Sequence, residues 1–121
     1  MADTSSPVFF FKSTEDSHSF ARGEAIFREG DAGDTMYAVQ QGWVDLMVAD
    51  KVVETVAPGG IFGEMSLIDR APRSATAVAG DDCHVIAINE KRFNFLTQNT
   101  PNFALNVLRV ISQRLRVMDR L

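Results

Sequence analysis

The residues of this chain best suited to chemistry lie in one run, Phe62-Gly63-Glu64-Met65-Ser66-Leu67-Ile68-Asp69-Arg70-Ala71-Pro72-Arg73-Ser74-Ala75-Thr76. Gly63 removes a side chain where a short helical turn, Glu64–Ile68, begins. Free amides at a helix start, with the helix dipole behind them, suit an anion. Ten residues after Gly63 stands Arg73, whose planar fork of donors fits bidentate phosphate contact. Ser74 can add a hydroxyl hydrogen bond, Pro72 stiffens the approach, and the small Ala75 and Ala77 leave room against the following strand. Glu64 is the discordant member, because a carboxylate repels a phosphate unless it serves a neighbouring hydroxyl. Phosphate donors with one carboxylate for a hydroxyl describe a ribose phosphate better than a free phosphate. Taken singly, Arg73 reads as a surface ion-pair partner and Glu64 as a helix N-terminal charge; their spacing joins them.

Other chemistries find little support. The two histidines, His18 and His84, stand far apart in the chain and lack companion carboxylates at strand spacing. A metal site of the kind β-rolls host needs more ligands than that. There is no Gly-x-Ser-x-Gly and no cysteine with a histidine to orient it, so neither catalytic residues nor metal ligands are assigned. Cys83 reads as a buried apolar residue, and a single cysteine forms no internal disulfide. With no signal-peptide pattern and no apolar run near the ~20 residues that span a bilayer, the expected location is the cytoplasm, away from membranes. The formal charge of -4 opposes a general attraction to nucleic acid or anionic lipid. An anionic ligand must then be held by a locally placed cation.

The elements that position these groups are mostly strands. At 121 residues the chain fits one compact domain, with residues 1–16 as a loose lead-in anchored by Phe9–Phe11 and the domain over 17–121. Short apolar runs between glycine-rich turns predict antiparallel strands at Ala25–Arg28, Thr35–Gln41, Trp43–Val48, Val52–Val56, Ser74–Ala79 and Cys83–Asn89. Val44, Leu46 and Val48 share one face of their strand, and Trp43, Asp45 and Met47 the other. Trp43 and Tyr37 are read as packing residues. A helix follows from Asn89 or Glu90 to Gln98, and Thr100-Pro101 opens a second that runs to the C-terminus. On it, Ala104, Leu108, Ile111, Leu115 and Met118 form one apolar stripe. Phe103, Val107, Val110, Val117 and Leu121 form a neighbouring one, broken by Arg114. Two stripes fit either one broad core-facing side or a seam to a second subunit or partner protein. Many short strands imply a closed or nearly closed roll, since open edges invite aggregation.

The run Phe62–Ala77 resembles the phosphate-binding cassette of the cyclic nucleotide-binding domains. That superfamily includes the catabolite activator protein, protein kinase A regulatory subunits and cyclic nucleotide-gated channels. The likeness extends to Gly23-Glu24-x-Ile26-x-x-Glu29-Gly30-Asp31-x-Gly33-Asp34 and to Tyr37 through Val44, and covers roughly residues 18–121. The fold implied is mainly β with C-terminal helices: a double-stranded β-helix, or jelly-roll, barrel with a short phosphate-binding helix and a long terminal helix. By this resemblance Gly63 and the amides near Glu64 and Met65 approach the phosphate, and Glu64 binds the ribose 2′-hydroxyl. The Ser66 backbone and the Arg73 side chain hold the cyclic phosphate, Ser74 adds a contact, and Leu46 and Val53 wall the base. At two positions on the terminal helix that face the base in the bacterial activator, this chain carries Met118 and Asp119. Asp119 can accept from the amino group of adenine or from N1 and N2 of guanine; Ser74 after the arginine leans toward cAMP over cGMP. The function implied is a regulatory module that binds cAMP, possesses no other cofactor and signals by movement of its terminal helix. A ligand-free scaffold that keeps the fold is the alternative. With no helix-turn-helix before the end at Leu121, the chain is not expected to read DNA.

Overall fold

The run Cys83–Ile88 buries side chains on both of its faces, and that sets the layering of the protein. The computed structural model describes residues 17–120, with side chains through Val117. The lead-in expected over 1–16 lies outside the described residues. In chain order the elements are β1 Ser17–Phe20, β2 Ala25–Phe27, β3 Met36–Gln41, β4 Val44–Val48, β5 Lys51–Val56 and β6 Ile61–Phe62. After these come α1 Glu64–Asp69, β7 Thr76–Ala79, β8 Cys83–Ile88, α2 Glu90–Asn99 and α3 Phe103–Arg120.

The strands form two four-stranded antiparallel sheets, ordered β1-β8-β3-β6 and β2-β7-β4-β5. Successive strand side chains point to opposite faces. In the first sheet, Val39, Phe62, Cys83 and Val85 face the second sheet and join Val44, Leu46, Val56, Ala77 and Ala79 there. Met36, Ala38, Ile61, Ile86 and Ile88 face the other way and pack with Leu67, Leu96, Phe103 and Val107 of the helices. The first sheet is thus the middle layer, which is why β3, β6 and β8 carry apolar residues on both faces. The second sheet has one face to solvent, and its β4 keeps the expected alternation.

Several expectations shift. The hydrogen-bonded ladders are two separate sheets, not one closed ladder. β1 and β6 were not delimited by the sequence, being too short to display a period of two. β7 begins at Thr76 and not Ser74, because the backbone of Arg73 is tied instead to the turn at Gly30-Asp31. The β4–β5 hairpin turns on Ala49 and Asp50 alone, both with positive φ (51° and 64°), as a two-residue turn of the twist-matched type requires. His18 and His84, distant in sequence, come to neighbouring strands, where His84 Nδ1 and the Ser19 hydroxyl share a hydrogen bond of 2.8 Å. Trp43 is 41% exposed, so it covers the outer face of its sheet and not the core.

The helices close one side. The Asn89 side chain accepts from the Arg92 amide and caps α2. Phe103, Val107, Val110 and Ile111 then lay α3 on the middle sheet, and Phe93 meets Phe103 edge-on at 5.5 Å. The stripe of Ala104, Leu108, Ile111 and Leu115 is absorbed at Ile111 but not throughout: Leu108 is 61% exposed and Leu115 45%. Phe103 anchors the base of α3 and is fully buried. Phe103→Ala should therefore lower unfolding free energy by about 3–5 kcal/mol in urea titration, the usual cost of emptying an aromatic site in a core.

Candidate functional site

Arg73 belongs to a loop yet is only 6% exposed. Two backbone hydrogen bonds to the preceding turn hold its main chain: Arg73 N–H to Asp31 O at 2.8 Å, and Gly30 N–H to Arg73 O at 2.8 Å. Its guanidinium lies over the Phe27 ring at 4.1 Å and donates to Gly63 O at 3.0 Å and Thr35 O at 2.8 Å. Phe27, Tyr37 and Phe62 form the aromatic floor beneath, with centroids 5.3–6.1 Å apart. Close approach on both sides depends on missing side chains. A Cβ at Gly33 would collide with the guanidinium, and one at Gly63 would lie 2.8 Å from Nη1. Gly63, with φ of 77°, also adopts a left-handed conformation that favours glycine.

This cation is poorly compensated. Among the described residues no carboxylate lies within ion-pairing distance of Arg73, and its buried Nε has no hydrogen-bond partner. Burial lowers its proton affinity, while Tyr37, Asp34 and Asp31 act at longer range in the opposite sense. A buried guanidinium satisfied by neutral carbonyls alone is costly unless an anion completes it.

The cavity beside Arg73 has a cassette side, an apolar wall and a helical cover. Gly63, Glu64, Met65, Ser66, Arg73, Ser74 and Ala75 supply the first. The Ser66 hydroxyl donates to Ala71 O at 2.8 Å, which draws the loop after α1 closed and leaves this side chain no reach for a ligand. Phe27, Leu46, Val48 and Val53 form the wall, and Arg114, Leu115 and Val117 of α3 the cover. Eight of the ten residues picked from sequence therefore meet at one cavity: Gly63, Glu64, Met65, Ser66, Arg73, Ser74, Leu46 and Val53. The other two, Met118 and Asp119, have side chains outside the described residues.

The sequence reading missed Arg114 and Glu54. Arg114 donates through Nε and Nη2 to the two oxygens of Glu54 (2.8 and 2.9 Å), through Nη2 to Ile61 O (2.6 Å), and through Nη1 to Glu64. Burial raises the Glu64 carboxyl above its ordinary range, and the charge of Arg114 recovers only part of that rise. Burial would lower Arg114, but Glu54 and Glu64 together carry it upward. The signal for Arg114 was present as the spacing 103, 107, 110, 114: what read as a break in the apolar stripe is its inward-facing continuation. The signal for Glu54 was absent, because a β-bulge decides its direction.

The model for the family described as "Cyclic nucleotide-binding domain" matches residues 17–100. Over 91 residues the chain is 38% identical to the cAMP-dependent protein kinase regulatory subunit of Eremothecium gossypii, covering 75% of this chain and 20% of that protein. It is 34% identical over 105 residues to the Cyclic AMP receptor protein of Thermus thermophilus, covering 83% and 49% respectively. The chain thus spans half or less of these two relatives. A solved structure described as "Sp-2Cl-cAMPS bound to PKAR CBD2" superposes with a TM-score of 0.75 at 31% identity, over 86% of this chain and 69% of that one. With the cassette, its glycine-lined arginine and the match over residues 17–100, the chain belongs to the cyclic nucleotide-binding domain family.

Proposed function

We propose that this chain is a regulatory module that binds cAMP and signals through α3, without catalysis of its own. The observation that carries the reading is Arg73: buried, flanked by Gly33 and Gly63, and held only by neutral groups. A cyclic phosphate supplies the missing charge, with donors from Arg73, Ser74 and the amides around Gly63, Met65 and Ser66. Glu64 accepts from the ribose 2′-hydroxyl. Leu46 and Val53 wall the base, Met118 and Asp119 are assigned to it by the family resemblance alone, and Ser74 favours cAMP. The two relatives named for cAMP support the same choice. We read the two sheets as the halves of a jelly roll, and the lone Cys83 as fitting a cytoplasmic setting. The exposed Leu108 marks the output surface of α3, toward a second copy or a partner protein.

In the mechanism, ligand orders the cassette, Leu67 and Ile68 adjust, and α3 settles over the base. Calorimetric titration with cAMP and cGMP tests the reading. The wild-type chain should bind cAMP more tightly, and Arg73→Ala should lose about 2–5 kcal/mol of binding. Gly33→Ala should fold yet bind weakly, since its methyl displaces the guanidinium. The 2′-deoxy analogue of cAMP should bind about 1.5–3 kcal/mol more weakly, the worth of a hydrogen bond to a charged group. No heat with either nucleotide would leave a ligand-free scaffold.

Glu64 also predicts a pH dependence for the free protein. Its native pKa lies above the unfolded value of 4.5, so the native state binds more protons between the two. Its contribution to stability therefore falls as pH rises through the native pKa, and the penalty is relieved as pH drops toward 4.5. In thermal melts Glu64→Gln should match the wild type at low pH and exceed it at neutral pH; equal curves throughout would contradict the assignment.

A further inference from the structure

A nucleotide site needs one carboxylate for its sugar hydroxyl, yet among the described residues this cavity is lined by two, Glu54 and Glu64. The second arrives by a specific backbone device. Leu46 pairs with Glu54 and Met47 with Val52, so Val53 is the extra residue of a β-bulge. The bulge brings Val53 and Glu54, neighbours in sequence, to the same cavity, where a regular strand would send one of them outward. Glu54 then takes Arg114 side-on, both carboxylate oxygens meeting Nε and Nη2. Glu64 takes only Nη1. The two grips differ in kind: a paired fork fixes the guanidinium plane, whereas a single contact does not.

Resting on the ribose assignment of Glu64, we infer that Glu54 is a positioning residue for α3. It keeps Arg114, and with it the helix, seated across the cavity while Glu64 exchanges the arginine for a sugar hydroxyl. Arg114 has donors enough for this. Nε and Nη2 remain on Glu54 and Ile61 O, and Nη1 alone is released. Without Glu54 the only carboxylate left to Arg114 among the described residues is the one the ligand requires. Ligand and helix would then compete, and binding would loosen α3 where it otherwise leaves α3 closed.

The test follows amide hydrogen exchange of residues 108–117 in the wild type, Glu54→Gln and Glu54→Asp, each free and saturated with cAMP, with binding measured by calorimetry. In the free state Glu54→Gln should exchange on the order of tenfold faster around Arg114, as loss of a charge-assisted pair implies. On cAMP addition the wild type should hold or gain protection there, and Glu54→Gln should lose it; Glu54→Asp should fall between. A Glu54→Gln helix that behaves as the wild type in both states overturns the inference. Unchanged exchange of the β-sheet amides separates this from general destabilisation, which would speed exchange in the sheets as well. If calorimetry shows no cAMP binding to the wild type, the nucleotide reading and the exchange step both fall. The free-state comparison still decides whether Glu54 anchors the helix.

Discussion

The seating of the Arg73 guanidinium between two glycines is the contact on which the rest of the site depends. It joins three distant stretches of chain: the Gly30–Gly33 turn, the Thr35–Tyr37 segment and the Gly63 end of β6. Each stretch gives up something for it. The turn gives two backbone hydrogen bonds, Gly33 and Gly63 give up side chains, and Phe27 lends the face of its ring. What results is a cation held in place with no counter-charge in contact among the described residues, at the edge of a cavity whose far side is apolar. Preorganisation of this kind lowers the ordering cost of binding.

A second charge system faces the first. Glu54, Arg114 and Glu64 make a closed set across the mouth of the cavity, linking β5, α1 and α3. Glu64 is buried, and desolvation disfavours its charged form and raises its carboxyl pKa, an effect that Arg114 offsets only in part. The same residue thus touches both the ligand cradle and the terminal helix. That double contact is why the proposed signal is routed through α3 rather than the sheets.

Much of this was legible in the residues. The cassette from Gly63 to Ser74 announces an anion site because glycine, arginine and a helix start have restricted uses, and those uses coincide there. The upstream glycine pattern was visible only as punctuation; its role as the socket of Arg73 was not, because that contact crosses some forty positions. Strand alternation placed Leu46 correctly, since period-two burial is a local property. β1 and β6 escaped notice because four and two residues carry no period.

The amino-acid order by itself determined the class of elements, the chemistry of the cassette and the apolar wall, all properties of neighbouring residues. Only the tertiary structure decided that Arg73 has no carboxylate partner among the described residues, that Arg114 turns inward and that Glu54 joins the cavity. Each of these depends on which side of a strand or helix meets which neighbour. A bulge at Val53 or a three-residue step on α3 reverses that outcome without changing a single residue type.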